Sequence, residues 1–251
     1  MLRGGTSPGY LLIHGFLGSS DDWRDVVHAS GGVREILAID LCGHEGCSEA
    51  LQAASFNGFV ESLAANLRKR NIGPVHGVGY SLGGRIVLGL SQRYPDLFSA
   101  ITLISTFPGY ENEHERVARC KSDMEWARRL RVSSLPEVLR DWYSQPIFAS
   151  EEWTGQFWDK MQSRCINITN ESAAEMLLAL SSAQMPSYWG FLENTDYPVT
   201  MIVGERDRKY VAIAHEFARR NQRGAVCIVG GAGHSVLLEK PVELAKLLQF
   251  Q

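Results

Sequence analysis

The chemistry that this sequence offers begins with a serine between two glycines. Ser81 lies in Gly79-Tyr80-Ser81-Leu82-Gly83, after an apolar run at Val75–Val78 and before apolar residues at helical spacing. A strand that turns directly into a helix leaves little room for side chains near the bend, so glycines are favoured there, and the turn lifts the hydroxyl clear of the sheet. The pattern predicts that Ser81 acts as a nucleophile or a base.

Two further polar residues follow apolar runs of strand length and complete a triad with Ser81. Asp207 and His234 come later in the chain, which gives the order serine, aspartate, histidine. A serine hydroxyl holds its proton too tightly to react at neutral pH, and a histidine oriented by a buried carboxylate can accept that proton. The sequence therefore predicts Ser81, Asp207 and His234 as catalytic residues, with Glu205 as the alternative acid.

Two backbone amides are predicted to stabilise a developing negative oxygen. The amide of Phe16 belongs to the loop His14-Gly15-Phe16-Leu17-Gly18, and the amide of Leu82 directly follows the serine. Amides at these two places form the oxyanion hole of a strand–serine–helix site. His14 precedes the loop, and we predict a structural role for it.

The elements that must position these residues alternate between strand and helix in the first and last parts of the chain. Short links between them favour a mostly parallel sheet that is covered by helices on both faces. Reactive groups gather at the carboxyl ends of the strands in such sheets. The predicted fold class is therefore α/β, with about six strands. The predicted strands are Tyr10–Ile13, Arg34–Ile39, Val75–Val78, Ala100–Ser105, Val199–Val203 and Ala225–Val229.

Residues 106–197 break this alternation, because they contain helical patterns but no strand pattern. Five of the six tryptophans lie in this region. So long an excursion between two strands predicts a helical cap, inserted into a core of residues 1–105 and 198–251. The predicted helices of the cap are Glu111–Leu130, Leu135–Tyr143, Glu151–Ser163 and Glu171–Ala183.

Composition narrows the possible partners. The chain has 251 residues and is 45% hydrophobic, so it can bury one large core. Its net charge is −3, so it lacks the excess of positive charge that would attract nucleic acid. No apolar run approaches the roughly 18 residues of a membrane span, and the N-terminus lacks the apolar centre of a signal peptide. Five scattered cysteines favour reduced thiols and a cytoplasmic location, and no cluster of Cys and His indicates a metal.

The segments described so far resemble the α/β-hydrolase superfamily over nearly the whole chain. Within it, the sequence is similar to the 2-succinyl-6-hydroxy-2,4-cyclohexadiene-1-carboxylate synthases of menaquinone biosynthesis. The tract Asp141–Ser150 carries most of this closer resemblance, because it lies in the predicted cap, where general hydrolases share little. The other matching segments are Gly79–Arg85, Arg116–Trp126 and Gly204–Asp207.

The resemblance implies a lyase that needs no cofactor and no metal. In that family the triad serine is a base that removes a proton next to a ketone, and enolpyruvate leaves as pyruvate. The substrate is a small-molecule tricarboxylate, and arginines can fix carboxylates through two parallel hydrogen bonds. The residues that match the family's arginine positions are Arg85, Arg119 and Arg164, and those that match its other pocket residues are Tyr80, Trp142 and Tyr143.

The chain also departs from the family pattern, and two alternatives remain. Cys42 stands where proline is more usual, Glu45 where glycine is, and Thr106-Phe107 where a Gly-His pair is expected. The first alternative is a serine hydrolase of an ester, thioester or carbon–carbon bond. The second is a small-ligand receptor that keeps the triad. No feature of the sequence indicates an oligomeric state.

Overall fold

Six parallel strands form the central sheet of the computed structural model, which describes residues 9–31, 35–41, 55–148, 154–164 and 168–248. Every pair of neighbouring strands in it is parallel, which confirms the predicted α/β fold class. The order across the sheet is β2-β1-β3-β4-β5-β6. The strands are β1 (Tyr10–Ile13), β2 (Ile36–Ile39), β3 (Val75–Tyr80), β4 (Phe98–Ile104), β5 (Val199–Gly204) and β6 (Ala225–Val229).

The strand order reverses at β1, which lies between β2 and β3. In open parallel sheets, ligands bind in the crevice at the carboxyl ends of the strands next to such a reversal. The loop after β1 and the bend at Ser81 after β3 are the two segments at this point. The topology therefore places both in one crevice.

Strand ends differ from the predicted ones by a few residues. β4 begins at Phe98, two residues earlier than predicted, because Phe98 pairs with Val75 across a shift in register. β3 extends to Tyr80, so that Ser81 follows the strand with no intervening residue. β1 and β6 have the predicted bounds.

Eleven α-helices lie among the described residues. Leu135–Tyr143 has the predicted bounds, whereas the helix predicted to end at Ala183 stops at Ala179. The two shortest helices after Thr106 were not predicted, because four to six residues are too few to show a helical period. The helices are α1 (Arg24–Ala29), α2 (Phe56–Lys69), α3 (Leu82–Arg93), α4 (Glu113–Val132), α5 (Leu135–Tyr143), α6 (Gly155–Arg164), α7 (Asn170–Ala179), α8 (Trp189–Asn194), α9 (Arg208–Arg220), α10 (Val236–Glu239) and α11 (Pro241–Leu248).

Apolar side chains form one cluster on each face of the sheet. Successive residues of a strand point to opposite faces, so Leu11 joins the first cluster and Leu12 joins the second. The first cluster contains buried residues of α2, α3, α8 and α9, and the second contains those of α1, α10 and α11. Helices therefore cover both faces and hold the strand ends in place.

A third apolar cluster is built mainly from α4, α5, α6 and α7. Leu17, from the loop after β1, is its one fully buried member outside these helices and their links. The ends of this helical region meet where the Tyr188 amide donates a hydrogen bond to the Pro108 carbonyl at 2.7 Å. Of these helices, α4, α5 and α7 line one cavity together with Ser81, so they lie over the carboxyl ends of the strands.

Candidate active site

Ser81 sits on a strained bend between β3 and α3. Its φ angle is 51°, in the left-handed region that non-glycine residues rarely adopt. Its amide donates a hydrogen bond to the Ile104 carbonyl at 2.8 Å, which fixes the bend against β4. The glycines after it permit close approach, since a Cβ at Gly83 would overlap the Ile13 carbonyl and one at Gly84 the Thr106 hydroxyl. The first turn of α3 is thus pressed against the end of β1.

Ser81, His234 and Asp207 form a continuous chain of hydrogen-bonding side chains. The Nε2 atom of His234 lies 3.2 Å from the Ser81 Oγ, and its Nδ1 atom lies 2.6 Å from the Asp207 Oδ2. An ionised carboxylate can only accept, so the proton of the neutral ring is on Nδ1 and Nε2 is left to accept from the serine. The arrangement can draw the proton from the Ser81 hydroxyl.

Asp207, and not Glu205, is the carboxylate in contact with His234. Asp207 is 4% exposed and also caps α9, where its Oδ1 accepts a hydrogen bond from the Tyr210 amide at 3.4 Å. Glu205 is exposed, and its carboxylate accepts a hydrogen bond from the Gly231 amide at 2.8 Å. Glu205 therefore holds the loop that carries His234.

Two further side chains fix that loop, and no sequence motif indicates either of them. The Ser105 hydroxyl donates to the His234 carbonyl at 2.9 Å, and Ser105 itself is fully buried with a φ of 45°. The Glu239 carboxylate accepts from the Gly233 amide at 2.9 Å, and burial raises the pKa of Glu239. The Ser105 contact joins residues 129 positions apart and the Glu239 contact joins residues six positions apart, and neither corresponds to a sequence motif.

The two predicted oxyanion amides belong to residues that line the same cavity as Ser81. Leu82 begins α3, and amides in a first helical turn have no partner within the helix. The loop of Phe16 is anchored by the buried His14, whose Nδ1 lies 2.7 Å from the Gly15 carbonyl and whose Nε2 accepts from the Leu41 amide at 2.9 Å. His14 thus makes structural contacts, as we predicted.

The cavity above Ser81 is bounded by the sheet edge below and by α4, α5 and α7 above. Two of the three predicted arginines, Arg85 and Arg119, line it. Arg85 donates to the Leu180 carbonyl at 2.7 Å. Burial, followed by repulsion from Arg119, lowers the pKa of Arg85 to about 10, so the guanidinium stays charged at neutral pH.

Arg119 is held by a buried carboxylate that the sequence analysis missed. Its Nε donates to the Asp123 Oδ2 at 2.8 Å, and the same oxygen accepts from the Ser181 hydroxyl at 2.6 Å. Asp123 lies one helical turn after Arg119, an i,i+4 spacing that could have revealed the pair. Arg116, three residues earlier on the same helix, donates instead to the carbonyls of Tyr110 and Met185.

Arg164 is the last residue of α6, and its side chain lies outside the described residues. Its predicted contact with substrate stays a prediction. A cation that the sequence analysis overlooked, Lys209, lines the cavity. Its position in the first turn of α9, two residues after Asp207, could have indicated that it lies near the site.

Tyr80, Trp142 and Tyr143 all line the cavity. The Tyr80 hydroxyl lies 2.9 Å from the Ser235 hydroxyl, and its ring centroid lies 5.6 Å from that of His234. The Trp142 ring contacts Phe16 at a centroid distance of 4.8 Å, which joins α5 to the loop after β1. Tyr143 is buried and packs on the Phe148 ring. The three aromatic residues therefore form part of the wall of the cavity that contains Ser81.

Within the described ranges, no group of three or more His, Cys, Asp and Glu side chains could hold a metal ion. Cys120 and Cys227 are free thiols, while Cys42, Cys47 and Cys165 lie outside those ranges. No helix in the same ranges is long and apolar enough to cross a bilayer.

Comparison with known proteins identifies relatives of this fold and sequence. A protein-family model described as alpha/beta hydrolase fold matches residues 11–241. A protein of Salmonella paratyphi B named 2-succinyl-6-hydroxy-2,4-cyclohexadiene-1-carboxylate synthase is 36% identical over 250 residues, which cover 97% of this chain and 95% of that protein. The solved structure of MenH from S. aureus has a TM-score of 0.87 at 25% identity, over 95% of this chain and 91% of that one.

Solved structures with lower sequence identity to this chain are evidence for its fold alone. An esterase from Exiguobacterium antarcticum has a TM-score of 0.79 at 13% identity, over 98% of this chain and 91% of that one. The relatives at 35–36% identity carry the synthase name over nearly the full chain. The chain therefore belongs to the α/β-hydrolase superfamily and, within it, to the family of 2-succinyl-6-hydroxy-2,4-cyclohexadiene-1-carboxylate synthases.

Proposed function

We propose that this protein eliminates pyruvate from 2-succinyl-5-enolpyruvyl-6-hydroxy-3-cyclohexene-1-carboxylate, in the cytoplasm and without a cofactor or metal. The product is 2-succinyl-6-hydroxy-2,4-cyclohexadiene-1-carboxylate. The observation that carries the proposal is a serine–histidine–aspartate chain at the floor of a cavity that also contains Arg85 and Arg119. An esterase for neutral acyl chains would line that space with apolar residues.

Ser81 is the base in the proposed reaction. Its Oγ takes the proton from ring carbon 2, next to the succinyl ketone, while its own proton passes to the Nε2 of His234, 3.2 Å away. The electron pair shifts through the ring, the double bonds move to positions 2 and 4, and the bond from carbon 5 to the enolpyruvyl oxygen breaks. The departing enolpyruvate takes up a proton and becomes pyruvate, which restores the neutral enzyme.

The amides of Phe16 and Leu82 stabilise the negative charge that builds on the succinyl oxygen. Amides fixed in place before the reaction stabilise such charge without reorganising, and removing one donor of this kind in a hydrolase costs roughly 10²–10³ in rate. The positive end of the α3 dipole acts in the same direction, because Ser81 precedes its first turn. Arg85 and Arg119 neutralise carboxylates that are taken out of water.

The decisive experiment measures pyruvate release from the enolpyruvyl substrate beside hydrolysis of a nitrophenyl ester. We expect steady-state release of one pyruvate per substrate consumed, coupled to a lactate dehydrogenase assay. A protein that binds the substrate without turnover would be a receptor. Ester hydrolysis that exceeds pyruvate release would support a serine hydrolase.

The hydrolase alternative has one observation in its favour, since the same triad and amides also suit acyl transfer. The two reactions differ in whether a bond forms to Ser81. We expect mass spectrometry of the protein quenched during turnover of the enolpyruvyl substrate to show no added mass on Ser81, because elimination passes through no covalent intermediate. The nitrophenyl ester serves as the comparison in the same instrument. An acyl-Ser81 species that forms and decays at the rate of turnover would contradict the elimination.

Replacement of Arg85 tests the cationic part of the site. We expect Arg85→Ala to lower kcat/KM at least about tenfold, equivalent to ~1.4 kcal/mol, because a carboxylate loses a buried guanidinium partner. Arg85→Lys should recover only part, since a point charge cannot make the two parallel hydrogen bonds. Arg93→Ala, at the exposed end of the same helix, is the matched control. Equal kinetics for the Arg85→Ala and Arg93→Ala enzymes would contradict a carboxylate contact.

A further inference from the structure

Lys209 lies at the wall of the active-site cavity, in the first turn of α9. Its ammonium is 5.8 Å from the centroid of the Phe107 ring and 5.7 Å from that of the Tyr210 ring. Tyr210 in turn packs on His234 at a centroid distance of 4.7 Å. Lys209 is thus separated from the triad by a single aromatic ring.

Lys209 lacks a close carboxylate partner in the described part of the protein. No carboxylate of these residues lies within 4.0 Å of its ammonium, whereas Arg119 is paired with Asp123. Desolvation at the cavity wall and then repulsion from Arg119 lower the pKa of Lys209, and the weaker opposing effects come from Asp207 and Glu115. A lysine in a first helical turn is also repelled by the positive end of the helix dipole. These costs would be relieved by an anion in the cavity.

Other charged groups on the cavity wall do not supply that anion. Asp22 is buried, and its carboxylate accepts a hydrogen bond from the Ser19 amide at 3.1 Å in the loop after β1. This carboxylate is therefore already engaged within its own loop. Arg85 contacts a backbone carbonyl and adds positive charge. The cavity therefore combines three cationic side chains, only one of which has a carboxylate partner within ion-pair distance among the described residues.

We propose that Lys209 binds one carboxylate of the substrate, as a third cation beside Arg85 and Arg119. This inference rests on the proposed function, which supplies a ligand with three carboxylates. Arginine makes directional, two-pronged contacts, while lysine acts as a mobile point charge. Lys209 therefore sets affinity for the tricarboxylate and does not act on the reacting atoms.

The test compares Lys209→Gln with Arg208→Gln, using pyruvate release at several substrate concentrations. Arg208 is the neighbouring cation in the same helical turn, but it does not line the cavity, so it controls for long-range attraction of the substrate. We expect Lys209→Gln to raise KM at least tenfold with kcat changed less than threefold, and Arg208→Gln to leave both nearly unchanged. Lys209→Arg, which keeps the charge, should restore most of the affinity.

The failure of this inference differs from the failure of the proposed function. If the wild-type protein releases pyruvate and the two glutamine variants have equal KM values, the role of Lys209 is overturned and the proposed function stands. A wild-type protein that releases no pyruvate would overturn the function, and calorimetric titration with citrate, a simple tricarboxylate, would then decide about Lys209. Tenfold weaker citrate binding by Lys209→Gln alone supports the inference, and equal binding by both variants rejects it.

Discussion

Ser81→Ala is expected to slow pyruvate release by several orders of magnitude. The hydroxyl oxygen is the only atom of the triad that we place against the substrate proton, and its removal leaves no base at the same position. In a serine hydrolase, loss of the triad serine lowers kcat by roughly 10⁶. A discontinuous pyruvate assay at high enzyme concentration has the range to measure such a loss.

The control for this variant is Ser99→Ala, at an exposed position on β4. It should retain wild-type kinetics, which excludes a general effect of losing a serine. The Ser81→Ala protein should still bind the substrate, because Arg85 and Arg119 remain in the cavity. A loss of only a few-fold in kcat would reject Ser81 as the base.

Asp207→Asn is expected to lower kcat by about 10⁴, the loss measured for the same change in a serine protease. The asparagine amide can donate a hydrogen bond to the Nδ1 of His234, and the ring proton would then move to Nε2. His234 could no longer accept from the Ser81 hydroxyl, although the side chains would stay in place. Pyruvate release together with circular dichroism separates this effect from unfolding.

Glu205→Gln is the matched control, because Glu205 was the alternative acid in the sequence and lies two residues from Asp207. Its carboxylate contacts the Gly231 amide, and a glutamine oxygen can accept the same hydrogen bond. We expect at most a few-fold change in kcat. A larger loss in Glu205→Gln than in Asp207→Asn would reverse the assignment of the acid.

The fold and the proximity of Ser81, His234 and Asp207 could be predicted from the sequence because both depend on local patterns. Each triad residue follows an apolar run of strand length, and parallel strands bring their carboxyl ends to one edge of the sheet. Gly79 and Gly83 could likewise be assigned to the bend, and in the structure a Cβ at either position would overlap a neighbouring segment. Periodicity and turn residues are therefore sufficient to predict the position of Ser81 at the end of a strand.

The polar lining of the cavity could not be predicted in the same way. Arg116 and Arg119 lie on one helix, and only the packing of α4 decides that Arg119 enters the cavity while Arg116 binds backbone carbonyls. Ser105 contributes through a tertiary contact to His234, which lies far away in the chain. No spacing rule reports such a contact, so the sequence leaves Ser105 indistinguishable from other serines.

The backbone of Ser81 has a consequence for evolution of thermal stability. A φ of 51° costs a residue with a side chain roughly 1–3 kcal/mol, whereas glycine adopts positive φ freely. Ser81→Gly would therefore relieve strain at the position where the proposed chemistry takes place. Selection for heat resistance alone would favour glycine there, so the serine persists only while its activity is under selection. Under the proposed mechanism, stability and activity are in direct conflict at this bend.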